Sequence, residues 1–216
     1  MKKIDAIVLA AVLAASGCSA TRAPVATRPA PPAPGIAGDV CAQCHGATGT
    51  ASSGDIPNLA GQHREYLAGQ LHALRDHTRS DALAAQNMWK TSHDLTDGEI
   101  DALATWYAAQ TPQRQPVLGS PAQIAAGERI FYGAAQHDGV APCAGCHGND
   151  GVGKTIFPRV AGQHMRYLAR QLAVFQHSEQ RPDGATMMSV SHALSDNGIN
   201  DVAAFLQSLP GGAVAP

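Results

Sequence analysis

Cys41-Ala42-Gln43-Cys44-His45-Gly46 recurs later in the chain as Cys143-Ala144-Gly145-Cys146-His147-Gly148. The two stretches contain four of the five cysteines in the 216 residues. In each stretch the two thiols lie about one helical turn apart, since a helix turns once in about 3.6 residues, and a histidine follows directly. The duplicated motif indicates that one kind of site is present twice.

The motif Cys-x-x-Cys-His is the attachment signature of c-type haem. Its two thiols can form thioethers to the two vinyl groups of one porphyrin, and its histidine can reach the iron as proximal ligand. Zinc and a redox disulfide are the alternatives, but paired zinc motifs usually lie about 15 to 20 residues apart, and a thioredoxin-like motif accompanies a βαβ pattern that is missing here. We therefore predict two covalently bound haem c groups, held by Cys41, Cys44 and His45 and by Cys143, Cys146 and His147.

The repeat extends beyond these motifs. Residues 56–71 return as 157–172 with ten of sixteen positions identical, and Ser92-His93-x-Leu95 returns as Ser191-His192-x-Leu194. Collinear blocks of this kind indicate two homologous domains. We predict domain 1 over residues 35–110, a linker over 111–119 where prolines interrupt the helical pattern, domain 2 over 120–210 and a tail over 211–216.

The apolar spacing in both halves is helical, and strand patterns are absent. Residues 62–76 and 163–177 each place leucines on one helix face. Thr96 opens a helix with a capping box, Ser120 precedes a proline at a helix start, and Ser195 caps the last helix. We predict an all-α fold of two tandem domains, each a few short helices around a covalent haem that supplies the apolar surface a small core lacks.

A second axial ligand is expected because low-spin electron carriers complete their iron with a protein group, often methionine. Met88 is the only methionine that follows the haem motif in the first repeat. Met187 lies at the matching distance before the repeated Ser-His-x-Leu, which favours it over Met188 and Met165. We predict Met88 and Met187 as axial ligands of the two irons, with core filling as the alternative role for a methionine.

Histidines offer a rival assignment of the second axial ligand. His93 and His192 also occupy matching positions, so that a bis-histidine iron is the alternative. Each lies only a few residues before a helix cap and is predicted instead to be a surface or capping residue. His63 and His164 follow Ala-Gly-Gln at the start of a helix and are predicted to be structural.

The N-terminal residues resemble an export signal. Residues 1–17 combine two lysines, an apolar run and a final Ser-Gly pair directly before Cys18. Small residues before a cysteine are typical of a bacterial lipobox, although Ala15 stands where leucine is usual. We predict a lipidated Cys18, a disordered Ala-Thr-Pro tether over 18–34, and anchoring at a membrane without spanning it. An ordinary signal peptide with a stray cysteine is the alternative.

The composition excludes other classes of partner. Hydrophobic residues make up 44% of the chain, charged residues 15%, and the formal net charge is −2. These values suit a folded domain and provide none of the basic surface that nucleic-acid binding requires. We expect no nucleic-acid partner and no small-molecule substrate.

Residues from about 35 to 210 resemble the dihaem class I cytochromes c of the cytochrome c4 type. The resemblance rests on the two haem motifs, on Pro-x-x-Ala-Gly-Gln at 57–62 and 158–163, and on Met-x6-Leu-[Ser/Thr]-Asp beginning at Met88 and Met187. It implies two mostly helical domains whose haem propionates face one another across the interface. It also implies His/Met ligation of both irons, with His45 and Met88 as one axial pair and His147 and Met187 as the other. The stretch of residues 35–40 is short for a full N-terminal helix.

The resemblance implies a periplasmic electron carrier that passes single electrons between respiratory donors and a terminal oxidase. Six-coordinate irons have no open position for a substrate, so we expect a carrier that is not an enzyme. The alternatives are a cytochrome subunit of a dehydrogenase complex and a dihaem peroxidase, which would need an iron without methionine. The expected partners are redox proteins and, through the N-terminal lipid, a membrane.

Overall fold

A computed structural model of the chain describes residues 34–133, 141–177, 180–181 and 184–211. The predicted export signal, Cys18 and nearly all of the tether lie outside these residues, as do residues 212–216. Within the described ranges the regular structure is helical, apart from one isolated bridge between Lys154 and Phe157. The elements in chain order are a π-helical turn Ala37–Cys41, α1 Ala42–His45, α2 Arg64–Arg75, α3 Ala82–Ser92, α4 Asp97–Ala108, α5 Pro121–Phe131, α6 Ala144–His147, α7 Met165–His177, α8 Gly184–Ser191 and α9 Asp196–Ser208.

Side chains cap three of these helices where the sequence predicts it. The Thr96 hydroxyl accepts a hydrogen bond from the Glu99 amide at 3.3 Å, and the Glu99 carboxylate accepts one from the Thr96 amide at 2.8 Å. Ser120 and Gln123 make the same reciprocal pair at the start of α5. The Ser195 hydroxyl accepts from the Gly198 amide at 3.1 Å. These bonds satisfy first-turn amides that have no partner within the helix and so define where α4, α5 and α9 begin.

Each half of the chain has its own apolar core. In the first half, residues of α2 and α4 bury one another, and the partly buried Cys41 packs against them; the buried set includes Leu67, Leu95, Ile100, Leu103, Trp106 and Tyr107. In the second half, Cys143 packs in the same way against a core that includes Phe131, Leu168, Val202, Phe205 and Leu206. The all-α prediction is confirmed, and in both halves one cysteine of the haem motif borders the core.

Two differences from the sequence-based expectation concern the helices after each haem motif. The middle helices begin at Arg64 and Met165, two residues later than predicted. The backbone before them is not helical, since His63 is extended with ψ 134° and both Gly61 and Gly162 have a positive φ. The sequence patterning also did not identify α3 and α8. These are the helices that carry Met88 and Met187.

The connection over 111–119 has no helix or strand and lies against the two halves. The side-chain amide of Gln207 in α9 donates to the Pro116 carbonyl. Pro112 packs on Gly61, whose φ is +63°, so closely that a Cβ atom there would collide with its ring. These contacts fix the connection at Pro112 and Pro116, while most of its other side chains, Val117 and Leu118 among them, are exposed.

The crossing of α5 and α9 yields a prediction about Gly127. A Cβ atom at Gly127 would lie less than 3.0 Å from the Asp201 carbonyl oxygen and 2.8 Å from the Phe205 Cβ. Overpacking of this kind costs about 1 to 3 kcal/mol, more than the roughly 0.5 to 1 kcal/mol that alanine gains over glycine in a helix. We expect Gly127→Ala to lower the free energy of unfolding of the holoprotein, measured by urea denaturation.

Gly98 provides the matched control for this experiment. It is also helical, and no atom lies within 4 Å of a Cβ built there. Gly98→Ala should leave the free energy of unfolding unchanged or slightly raised, by at most about 1 kcal/mol. Equal effects of the two substitutions would contradict the close approach of α5 and α9.

Candidate functional site

The two Cys-x-x-Cys-His motifs form the same local structure. Each ends a short helix at a histidine, and the glycine that follows has a positive φ, 76° at Gly46 and 75° at Gly148. A Cβ atom at Gly46 would also collide with the carbonyl oxygen of Thr50. Glycine is therefore required at this turn, because other residues rarely adopt that conformation. The sequence shows both glycines, but their role becomes visible only in the backbone geometry.

Both histidines are buried and held by a backbone carbonyl. His45 and His147 are each 8% exposed. The Nδ1 atom of His45 lies 2.9 Å from the Pro57 carbonyl oxygen, and that of His147 lies 2.9 Å from the Pro158 carbonyl oxygen. Because a carbonyl only accepts, the proton lies on Nδ1, and Nε2 keeps the lone pair that a metal ion requires.

The protonation state also suits a metal ligand. Burial lowers the pKa of His45 by more than the hydrogen bond to Pro57 raises it. Burial likewise lowers the pKa of His147, again against the opposing hydrogen bond to Pro158. Both imidazoles are therefore neutral near pH 7, which is the form that binds iron.

The four thiols of the motifs form no disulfide with one another, and they differ in exposure. Cys41 and Cys143 are half-buried, whereas Cys44 and Cys146 are exposed. Burial is the largest influence on the thiol pKa of Cys41 and of Cys143 and raises both. Thiols of a redox disulfide motif usually have a lowered pKa, so this environment does not favour that alternative.

The zinc alternative also lacks a suitable set of ligands in the described part of the chain. No group of three or more His, Cys, Asp or Glu side chains is close enough there to hold a metal ion. A thiol pair one turn apart beside a neutral imidazole is the donor set that a covalently attached haem needs. The residues present therefore fit haem c.

Met88 and Met187 lie at matching places on α3 and α8. Each is partly exposed and precedes by four residues a fully buried serine, Ser92 or Ser191. The Ser92 hydroxyl donates to the Met88 carbonyl at 2.7 Å. Met165 instead packs against the core of the second half. Helix position thus distinguishes Met187 from Met165, while its assignment as an iron ligand stays a prediction.

The other histidines have different surroundings. The side chains of His93 and His192 are exposed, and this exposure does not favour either of them as an axial ligand. The Nε2 atom of His63 lies 2.9 Å from the Val152 carbonyl oxygen, and that of His164 lies 3.1 Å from the Ala51 carbonyl oxygen. His63 and His164 thus join the two halves, which is a structural role.

A buried charged cluster, which the sequence analysis did not identify, lies where the two halves meet. Arg79 is 7% exposed, Asp81 2% and Arg181 6%. The Arg79 guanidinium donates to the Asp81 carboxylate at 2.8 Å, and Gln171 donates to the same carboxylate at 3.2 Å. Arg181 donates to the side-chain oxygen of Gln171 and, at 3.0 Å, to the Tyr66 hydroxyl. A sequence clue existed, since both arginines follow the middle helix of their repeat.

The cluster has an excess of positive charge among the described residues. Two guanidinium groups face one carboxylate there, and the Nε atom of Arg181 is buried without a hydrogen-bond partner in that set. Burial acts to raise the pKa of Asp81, but the charge and hydrogen bond of Arg79 outweigh it and hold that pKa below its ordinary value. A buried cationic site of this kind suits an anionic group, because buried charges are generally paired.

Two attachment motifs, each with a buried neutral imidazole in its own helical unit, define a c-type cytochrome with two haem centres. The chain belongs to the cytochrome c family, whose family model, described as Cytochrome c, matches residues 35–108 and 124–210. With one attachment motif in each matched segment, the protein is a dihaem electron carrier that holds two covalently bound haem c groups. In the described part of the chain, no helix has the length and apolar character needed to cross a membrane.

Similar proteins agree with this assignment. The chain is 37% identical to cytochrome c-552 of Acidithiobacillus ferridurans over 179 residues, which covers 82% of this chain and 77% of that protein. It is 33% identical to cytochrome c4 of Pseudomonas aeruginosa over 174 residues, covering 79% and 84% of the two chains. The solved structure of Acidithiobacillus ferrooxidans cytochrome c4 superposes with a TM-score of 0.72 at 36% identity, covering 78% of this chain and 98% of that one.

A further relative has a more specific name. The chain is 30% identical over 174 residues to the thiosulfate dehydrogenase electron acceptor of Thiomonas intermedia, which covers 79% of this chain and 78% of that protein. The relatives therefore include both cytochromes c4 and a protein named as the electron acceptor of a dehydrogenase.

The buried Arg79–Asp81 pair yields a prediction about acid stability. The folded-state pKa of Asp81 lies below its ordinary value. The pair therefore stabilises the fold above an unfolded-state pKa of about 3.9, and that contribution is lost as the pH falls further. We expect Asp81→Asn to lower the free energy of unfolding at pH 7 by about 3 kcal/mol, because it leaves Arg79 buried without its counter-charge. The deficit should shrink at pH 3, as measured by urea denaturation at both pH values.

The exposed pair of Arg64 and Asp101 is the control. The Asp101 side chain is 55% exposed, so Asp101→Asn should change the free energy of unfolding by less than about 1 kcal/mol at either pH. A deficit in Asp81→Asn that is the same at pH 7 and pH 3 would contradict the assigned ion pair.

Proposed function

We propose that this protein passes single electrons in the periplasm between respiratory donors and a terminal oxidase. The observation that carries the proposal is the duplicated geometry in which a buried histidine is held by a proline carbonyl beside two cysteines that form no disulfide. Duplication of the whole arrangement within one chain favours two centres that exchange electrons with each other. The cytochrome c4 relatives support the same function.

Each centre is assigned three attachment residues and one further axial ligand. Cys41 and Cys44 hold one haem through thioethers, and Cys143 and Cys146 hold the other. His45 and His147 each direct Nε2 towards an iron, because their Nδ1 atoms are bound to Pro57 and Pro158. When bound, each haem supplies a one-electron couple between ferric and ferrous iron.

Met88 and Met187 occupy the remaining axial positions in this proposal. A soft thioether favours ferrous iron and raises the potential. Filling the sixth position also excludes peroxide and other small ligands, which makes electron transfer a better proposal than a dihaem peroxidase. Their matching places on α3 and α8 support this role.

We assign the two guanidinium groups of this cluster, those of Arg79 and Arg181, to the haem carboxylates. The resemblance to cytochromes c4 implies propionates that face one another across the interface, and the cluster lies at that interface with an excess of buried positive charge. Arg181 has an Nε atom available for such a group. Pairing with these cations would allow the carboxylates to remain ionised away from water.

The cellular location is part of the proposal. Residues 1–17 act as an export signal, and Cys18 carries a lipid that anchors the protein at a bacterial membrane through the tether over 18–34. An anchored carrier with a tether of this length can move its globular part between partners at the membrane surface.

A second candidate function is that of an electron acceptor for a dehydrogenase. The similarity to a protein named thiosulfate dehydrogenase electron acceptor favours it. The haem ligands would be the same in both functions, and only the docking partner would differ. Copurification of a dehydrogenase with the chain from solubilised membranes would distinguish this function from delivery to an oxidase.

The axial methionines are tested by single substitutions. Met88→Ala and Met187→Ala should each open one iron to exogenous imidazole and lower the potential of that haem, because the soft ligand is lost. We expect a decrease on the order of 0.1 V, since axial ligation sets haem potentials over about 0.8 V. Spectroelectrochemical titration and imidazole binding measure the two effects.

Met165 and Met188 are the matched controls for these substitutions. Met165→Ala should destabilise the second core without opening an iron, since Met165 packs there. Met188→Ala should leave ligation unchanged. An iron opened by Met188→Ala in place of Met187→Ala would contradict the assigned position on α8, and unchanged ligation in both axial variants would favour His93 and His192.

The anchor is tested by removal of its thiol. Cys18→Ser should abolish lipidation and release the protein, with both haems attached, into the soluble periplasmic fraction. Mass spectrometry of the purified chain and membrane fractionation are the measurements. A Cys18→Ser protein that stays in the membrane fraction after a high-salt wash would show that the lipid is not what holds it.

A further inference from the structure

The two halves of the molecule hold each other through a reciprocal exchange of side-chain amides. The Gln62 amide donates to the Arg159 carbonyl at 3.0 Å and accepts from the Arg159 N–H at 2.8 Å. The Gln163 amide donates to the Asn58 carbonyl at 2.9 Å and accepts from the Asn58 N–H at 2.9 Å. Both glutamines are buried, with 5% and 6% exposure. We refer to these two arrangements as the amide clamps.

The residues that the clamps hold are adjacent to the prolines that bind the histidines. Asn58 follows Pro57, and Arg159 follows Pro158. The N–H of Asn58 and the C=O of Pro57 therefore belong to one planar peptide group. Its N–H is bound by Gln163 of the other half, and its C=O accepts the hydrogen bond from His45.

The second half repeats this arrangement with the roles of the two halves exchanged. The peptide between Pro158 and Arg159 gives its N–H to Gln62 and receives the hydrogen bond of His147 on its carbonyl oxygen. One rigid peptide thus connects each buried histidine with a glutamine from the opposite half. The connection is short, since it consists of two hydrogen bonds and one planar group.

Such a chain of hydrogen bonds is cooperative. A peptide whose N–H is hydrogen-bonded has a more polarised carbonyl, which accepts more strongly at its oxygen. A stronger bond at Nδ1 makes the imidazole a more basic ligand, and outer hydrogen bonds of this kind tune a bound metal ion. A more basic axial ligand stabilises ferric iron relative to ferrous iron.

We propose that Gln62 and Gln163 are positioning residues that each tune the haem of the opposite half. Gln62 acts through the Pro158 carbonyl on His147, and Gln163 acts through the Pro57 carbonyl on His45. The inference rests on the proposed role of both histidines as iron ligands. It makes each potential depend on contacts that the other half provides.

The test uses the full holoprotein with Gln62→Leu and Gln163→Leu. Each substitution removes both hydrogen bonds of one clamp, together with the bond that the same glutamine oxygen accepts from the next backbone amide in its own half, that of His63 or His164. We expect Gln62→Leu to raise the potential of the haem attached at Cys143 and Cys146, and Gln163→Leu to raise that of the other haem. Spectroelectrochemical titration gives the potentials, and the hyperfine-shifted haem methyl resonances in proton NMR spectra assign each wave and report on the orientation of its axial histidine.

Gln176→Leu is the control within one half. The Gln176 amide donates to the carbonyls of Ser191 and Leu194, both in its own half. Its removal should affect only the haem at Cys143 and Cys146. Amide hydrogen exchange adds a readout that does not depend on the iron, since the Arg159 amide should exchange faster in Gln62→Leu and the Asn58 amide faster in Gln163→Leu.

The pattern across the variants determines the outcome. A larger shift in the redox potential of the haem in the opposite half, in both clamp variants, supports the proposal. A larger shift at the haem of the mutated half, equal shifts at both haems, or no shift would overturn it. If Gln62→Leu does not fold, Gln62→Ala is measured in its place, and failure of both to retain haem would show that the clamp is only structural. Covalent haem content and ligation of the unmodified protein are measured first, so that a failure of the clamps is distinct from a failure of the proposed electron transfer.

Discussion

The hydrogen bond from a buried imidazole to a proline carbonyl determines what each half of the molecule can bind. It places the proton on Nδ1, leaves Nε2 for a metal ion, and fixes the plane of the ring at His45 and at His147. Burial keeps both rings neutral. The turn that ends each motif depends on glycine, and one cysteine of each motif, Cys41 or Cys143, borders the core of its half. This hydrogen bond, present once in each half, thus links the backbone geometry, the packing and the ligand chemistry of each site.

The interface between the halves combines this neutral hydrogen bonding with buried charge. The clamps satisfy peptide groups that would otherwise lose their partners on burial, which would cost about 1 to 3 kcal/mol for each group. The cluster around Arg79 and Arg181 places guanidinium groups in the same region, where a low dielectric strengthens their field. In the proposed arrangement, with the haem carboxylates at this interface, these buried charges act on both centres as well as holding the halves together.

Most of what the sequence predicted correctly depends on residues close together in the chain. The haem motifs occupy five residues, and the capping box of Thr96 and Glu99 occupies four, so each could be recognised without a fold. The interface could not be predicted in this way, because Gln62 meets Arg159 and Gln163 meets Asn58 at sequence separations of 97 and 105. The repeated Ala-Gly-Gln showed that both glutamines recur, but not what they bind. Helices α3 and α8 could not be predicted from apolar spacing, because the residues that they bury are small: Ala84 and Ser92 in α3, Gly184 and Ser191 in α8.

The symmetry of the interface also indicates how the two halves of the chain arose. Contacts exchanged between equivalent surfaces are characteristic of a two-fold homodimer, and here the same exchange occurs inside one chain. The arrangement has the form of a dimer whose subunits were joined by gene duplication and fusion. In a homodimer every substitution appears on both surfaces, whereas in a fused chain the copies diverge separately. Asn58 and Arg159 occupy equivalent positions and show this divergence. The side-chain amide of Asn58 donates to the Gly162 carbonyl, whereas the guanidinium of Arg159 donates to the Gly61 carbonyl.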